Sequence, residues 1–242
     1  MNRRQFVVTT AFGTLSLSLT PQLLEAKQST PTSQQSDPWV TGNAFDLLST
    51  EGEPETLAAV VEPVMFSNSS YAVVLRSYYS QPIAITDIFG TVRNREGSLV
   101  ATVEDAYFAP AIIEPNAVCI VGVSFDSDLS SSEQRSVAVE LDYETDLDLS
   151  DTYAANLRVT DFVIRPERII GVVENTTSSE ISLGWIVGVL FDHSGQLATW
   201  FSTTTDKWDI PAGETSTFSK SFDVRDDMMA LPHLVASRGT SF

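Results

Sequence analysis

Residues 80–102, SQPIAITDIFGTVRNREGSLVAT, find a partner farther along the same chain in residues 178–199, SSEISLGWIVGVLFDHSGQLAT. Ile83 matches Ile181, Ile85 matches Leu183, Ile88 matches Ile186, Gly90 matches Gly188, Gly97 matches Gly195 and Leu99 matches Leu197, each pair 98 positions apart. The correspondence continues on both flanks. Val74-Leu75-Arg76 aligns with Val172-Val173-Glu174 upstream. Downstream, Pro115 aligns with Pro211, and Ser124-Phe125-Asp126 with Ser221-Phe222-Asp223. A period this long exceeds a solenoid repeat and fits one β-sandwich of roughly 100 residues. The body of the chain therefore reads as two copies of one domain.

The local pattern agrees. Short runs rich in Val, Ile, Phe, Tyr and Thr, many alternating apolar with polar, predict strands. In the first copy these are Leu57–Met65, Ala72–Tyr79, Ile83–Arg93, Ser98–Glu104, Val118–Phe125 and Ser136–Tyr143. In the second they are Leu157–Arg165, Ile169–Glu174, Ile181–Phe191, Gln196–Ser202, Thr215–Phe222 and Leu231–Ala236. Turn signals separate them at Arg95–Gly97, Glu114–Asn116, Asp192–Gly195 and Pro211–Gly213. Helical periodicity is absent beyond the N-terminal segment. The expected fold is all-β, with two tandem immunoglobulin-like β-sandwich domains from an internal duplication, at 57–148 and 153–237.

Three stretches of the second copy carry a family resemblance: Gly171 to Asn175 (GVVEN), Val187 to Gly195 (VGVLFDHSG) and Ile210 to Phe218 (IPAGETSTF). Together, over roughly 157–225, they resemble the FxLYD-type domain of prokaryotic extracellular proteins. Gly188 stands where that family has its first aromatic, and Phe191 replaces its Tyr. The first copy keeps the Gly and Pro landmarks without the Asp-x-x-Gly and Pro-Gly-Glu wording. The resemblance implies an immunoglobulin-like sandwich in an extracellular setting. Its landmarks mark turns and core positions, so it implies no catalytic residue.

The N-terminus begins MNRRQFVV. Arg3, Arg4 and Phe6, followed by a modestly apolar run to Leu19, resemble a twin-arginine export signal, with a small residue for cleavage at Ala26. The run is too short for a membrane span, which takes about 20 apolar residues. Residues 1–26 are thus expected to be a signal peptide, and an uncleaved signal would act as an anchor. The competing reading is a short amphipathic N-terminal helix. Residues 27–56 read as a polar and acidic tether. Export implies passage through the twin-arginine translocase and an extracellular or cell-surface location.

The chain has 32 acidic and 14 basic residues, a net charge of −18, and its lysines are Lys27, Lys207 and Lys220. Nucleic-acid phosphates would be repelled, and anionic lipid is disfavoured. High Asp and Glu with scarce Lys is the surface pattern of salt-loving archaea, where concentrated salt screens self-repulsion. An ordinary acidic secreted protein is the alternative. The lone cysteine, Cys119, lies in an apolar run and reads as a core residue.

No catalytic residue stands out. Blue copper needs Cys with two His, and Cys119 has no neighbouring His. Asp192-His193-Ser194 are adjacent in a turn, which does not point them at one another as a nucleophilic triad requires. His193 and His233 read as exposed. Asp142, Glu144, Asp146, Asp148 and Asp151 concentrate hard oxygen donors between the copies, which calcium would favour; a solvated acidic linker is the preferred reading of them. No other cofactor is implied. Asn68 and Asn175 begin N-glycosylation sequons. Trp200, Phe201 and Trp208 flank a Thr-rich loop and read as core residues or an exposed patch. The expected role is a non-enzymatic binding, adhesion or accessory structural module. Its partner would be a cell-envelope or extracellular protein or glycan. The alternatives are an extracellular solute- or calcium-binding protein, or an enzyme with a dispersed carboxylate site.

Overall fold

Burial on both faces of its central strands organises this chain. The computed structural model describes residues 2–4, 37–66, 69–127, 129, 137–149, 154–221 and 231–241, and among these there is no α-helix. In chain order the strands are β1 (Asn2–Arg4), β2 (Val40–Gly42), β3 (Leu57–Ala59), β4 (Val64–Phe66), β5 (Ser70–Ser77), β6 (Ile83–Arg93), β7 (Leu99–Ala109), β8 (Ile112–Ile113) and β9 (Val118–Phe125). They continue with β10 (Ala138–Asp146), β11 (Ala154–Arg165), β12 (Arg168–Glu174), β13 (Ile181–Phe191), β14 (Leu197–Thr204), β15 (Asp209–Ile210), β16 (Thr215–Ser221) and β17 (His233–Ser241). They form two antiparallel sheets. One runs β1-β10-β6-β7-β9-β5-β3 and the other β14-β13-β17-β11-β12-β16.

Each sheet curls because one long strand changes partners midway. In β7, Leu99–Thr102 pair with β6, whereas Val103–Ala109 pair with β9 across a register shift. In β11, Ala154–Leu157 pair with β17, whereas Arg158–Arg165 pair with β12, again with a shift after Val159. Such irregularities bend a strand and sharpen its twist. Each sheet thereby folds back over itself and encloses a core. The first contains Ile83, Ile85 and Ile88 of β6, Leu141 of β10, Val73 and Leu75 of β5, and Cys119 and Val121 of β9. The second contains Ile186 and Leu190 of β13, Ile169 and Val173 of β12, Phe218 of β16 and Val235 of β17.

A third core lies between the two units. On β5, Tyr71, Val73 and Leu75 point into the first core, and the alternate residues Ala72 and Val74 point away from it. On β9 the outward residues are Val118 and Ile120. They meet Val187, Val189 and Phe191 of β13 and Leu234 and Ala236 of β17. The result is four stacked layers with an apolar core at every boundary. Burying a Val, Leu, Ile or Phe side chain contributes about 1.5–3 kcal/mol. The shared core is therefore worth on the order of 10 kcal/mol, comparable to the net stability of a typical domain. The units are bound face to face.

Polar and aromatic contacts lock the boundary. Trp200 of β14 donates from Nε1 to Ser70 Oγ at 3.0 Å and lies over Gly122 of β9. Tyr107 packs against Trp185 and Trp200, with ring centroids 5.9 and 6.0 Å apart. The Arg238 guanidinium sits 3.8 Å from the Phe108 ring centroid. Asn156 imitates a strand neighbour, accepting from Ile112 N at 3.0 Å and donating to Ile112 O at 2.7 Å.

Residues 37–56, expected within the tether, belong to this architecture. β2 pairs with β17, and Val40, Ala44 and Leu48 are buried in the shared core. Their apolar spacing was hidden among acidic and small polar neighbours. The expected tether residues 27–36 and, apart from the backbone of Asn2–Arg4, the expected signal lie outside the described residues. The run expected as one strand over Leu57–Met65 is two, β3 and β4, both paired with β5.

A Cβ on Gly122 would lie 2.2 Å from the Trp200 ring. Replacement Gly122→Ala should therefore lower stability by about 1–3 kcal/mol, the usual cost of overpacking, measured by urea unfolding. An unchanged midpoint would mean that the boundary is slack.

Candidate functional site

The landmark residues of the second unit are structural. Gly171 and Phe218 are opposite one another in β12 and β16, and a Cβ at Gly171 would lie 2.3 Å from the Phe218 ring. Asn175 is fully buried. Its amide donates to Ser179 O and Ile210 O, both at 2.8 Å, and its Oδ1 accepts from Thr177 N and Oγ1. A buried amide with both hydrogens engaged leaves nothing for a glycan to attach to, so the sequon at Asn175 is a structural corner. Asn68 lies outside the described residues.

Asp192 Oδ1 accepts from Ser194 N, Ser194 Oγ and Gln196 N. These bonds hold its carboxyl below the usual range, led by the Ser194 hydroxyl, and they close the turn at Gly195, whose φ is +83°. The Asp-His-Ser run is therefore a turn brace. His193 is exposed as expected. His233 departs from expectation: it is half-buried, 4.9 Å from the Phe162 ring centroid, and burial pushes its pKa down. Cys119 is fully buried, and burial drives its thiol pKa far up.

Of the five acidic residues weighed for calcium, Asp142, Glu144 and Asp146 occupy alternate positions of β10. They belong to a strand of the first unit and not to a linker. Alternate residues of a strand are about 6.6 Å apart along it, whereas calcium gathers six to eight oxygens at about 2.3–2.6 Å. Asp148 donates its N–H back to Asp146 Oδ1 at 2.9 Å, and Asp151 lies outside the described residues. Among the described residues no three His, Cys, Asp or Glu side chains converge as a metal site would require. Asp126 accepts from Thr102 N and Oγ1, bonds that pull its pKa down and tie a strand end.

A small cleft is lined by Asp37, Pro38, Phe45, Arg76, Glu114 and Asn116, with a volume of about 70 Å³. Organic ligands occupy pockets of about 300–1,000 Å³, so this one suits water or a small ion. Two of its charged groups, Asp37 and Arg76, are engaged in holding the fold. Asp37 accepts from Val118 N at 2.9 Å and Trp39 N at 3.0 Å, stapling the N-terminal segment to β9. Arg76 donates to Ser49 O and Asn116 O.

The most prominent candidate for recognition is Trp208, which is 66% exposed. Its loop is braced from several sides. Leu183 N donates to Trp208 O, Lys207 N donates to Ser216 Oγ at 3.1 Å, and Ser182 Oγ donates to Asp209 Oδ1 at 2.6 Å. Trp200 and Phe201, read alongside Trp208, go the other way: Phe201 is buried and stacks on Phe162, and Trp200 seals the unit boundary. Phe89 and Leu99 are further exposed apolar residues, on the first unit. Nothing in the sequence separated Trp208 from its two aromatic neighbours except its place between Lys207 and Asp209.

No family model matches the chain, and comparisons with curated proteins and with solved structures likewise find no match.

Burial raises the pKa of Asp37 more than its backbone bonds and Arg76 lower it. A carboxyl raised on folding stabilises most when protonated, and that contribution is lost as pH rises through the folded pKa. Replacement Asp37→Asn cannot titrate. The stability advantage of the wild type over this variant should therefore shrink as pH rises from about 4 to 7, measured by urea unfolding at each pH. An advantage that grows with pH would contradict this reading of the staple.

Proposed function

We propose that this chain is an exported, non-enzymatic binding module of the cell surface, built from two immunoglobulin-like sandwiches that arose by duplication. Several internal correspondences support the duplication. β6 and β13 are both 11 residues long and lie 98 positions apart. Each pairs with the strand after it and with the last strand of its unit. Asn94 accepts from Glu96 N and Ser98 N around Gly97, as Asp192 does from Ser194 N and Gln196 N around Gly195. Ser77 exchanges backbone bonds with Asn116 and Ala117 as Asn175 does with Gly213 and Glu214. These landmarks are what the second unit shares in wording with FxLYD-type domains.

The twin-arginine wording of Arg3-Arg4-Gln5-Phe6 and the strongly acidic, Lys-poor composition support export into a salty exterior. Among the described residues no helix is long and apolar enough to cross a membrane. The binding role is carried by one observation: Trp208 is presented to solvent on a loop fixed by backbone and side-chain hydrogen bonds. A rigid exposed indole loses little entropy on docking, and Trp is enriched at the energetic centres of interfaces. Its partner is an envelope or extracellular protein or glycan.

The test is capture from envelope fractions in concentrated salt with the full chain as bait, beside Trp208→Ala. The variant should melt within about 1 kcal/mol of wild type, as a surface substitution does, and should lose the captured partner. Equal capture by both would remove Trp208 from the interface.

A further inference from the structure

The two units differ at one corresponding edge. In the second unit β17 is covered on both sides. β13 pairs with one edge; on the other, β2 lies opposite Leu234–Ala236 and β11 opposite Leu157's partner Ser237 through Thr240. β10 is its counterpart in the first unit, with β6 along one edge. Its other edge meets only β1, opposite Tyr143, Glu144 and Thr145; Ala138–Asp142 have no second strand among the described residues. The reason lies in β3. It stands where the start of β11 stands in the second unit, yet it pairs with β5 and never crosses to β10.

An uncovered edge is a row of backbone donors and acceptors ready for another strand. This one also specifies the side chains of its occupant. Val139, Leu141 and Tyr143 point into the first core, while Glu140, Asp142 and Glu144 alternate with them on the outer face. A second β10 placed alongside would set carboxylates against carboxylates, which is destabilising. Glu140 already meets Arg93 of β6 at 3.7 Å, and a strand with Lys or Arg at alternate positions would complement Asp142 and Glu144. The segment found on this edge brings one such residue: Arg3 lies opposite Glu144 in register.

We propose that the outer edge of β10 is a strand-acceptor site, which binds an extended basic segment by β-augmentation. The chain's own Asn2–Arg4 fill one end of it. If residues 1–26 are removed on export, no strand among the described residues occupies the edge, and it is open to a basic, extended segment of a partner. That biological use rests on the reading of the chain as an exported binding module; the capacity of the edge does not.

The experiment uses the full chain carrying Arg3→Pro and Arg4→Pro, since proline cannot pair as an inner ladder residue, with hydrogen exchange read by mass spectrometry and NMR. Amides of residues 143–145 that do not bond β6 should exchange at least tenfold faster than in wild type, with residues 181–191 unchanged. A synthetic peptide of residues 1–8 should restore their protection and extend it to 139–142. The same peptide with Arg3→Glu and Arg4→Glu should not. Unchanged exchange in the proline variant, no protection by the basic peptide, or equal protection by the acidic one would overturn the proposal. Failure of envelope capture would leave this result untouched, so the two readings fail separately.

Discussion

The structure depends on the packing of β5 and β9 against β13 and β17. Val74 and Ile120 from one unit and Val187, Val189 and Leu234 from the other form a core that neither unit can complete alone. Both faces of those strands are consequently dry, and the other features of the fold accommodate that fact. β7 and β11 bend so that each sheet can wrap its own core while offering a flat apolar back to its neighbour. Gly122 leaves room for Trp200, and the segment around Val40, Ala44 and Leu48 seals the rim. The Asp37 carboxylate fixes that segment to the start of β9.

Much of this was legible in the residues. Alternation and turn chemistry placed Ile83–Arg93, Val118–Phe125 and Ile181–Phe191 at the boundaries they adopt. The pairing of the units was written there too, in a form that alternation obscures. VCIVGV at 118–123 and IVGVLF at 186–191 are continuous apolar runs. A strand with one wet face alternates, whereas one buried on both faces does not. Those runs announced a second apolar surface for each unit to cover. Residues 37–48 were misread because three buried apolar residues among acids and small polar groups look like tether when composition is weighed over a window.

Side-chain roles were harder to read than strands. A sequon is three letters, and Asn175 satisfies it while its amide is consumed inside the fold. An acidic run resembles a cation site in one dimension, yet strand geometry spreads Asp142, Glu144 and Asp146 along an edge. Three aromatic residues within nine positions diverge completely: Trp200 and Phe201 are packed, and Trp208 faces solvent. In each case the deciding quantity is direction relative to a core, which depends on partners distant in sequence.

If the boundary between the units is a true core, they must unfold together. Site-resolved amide hydrogen exchange across a urea series measures this directly, by following residues 118–125 of β9 and 186–190 of β13. The two sets should converge on one opening free energy with one urea dependence, as a single cooperative unit requires. Separate opening free energies, each with a slope fitting about half the chain, would show two independent domains and contradict the account.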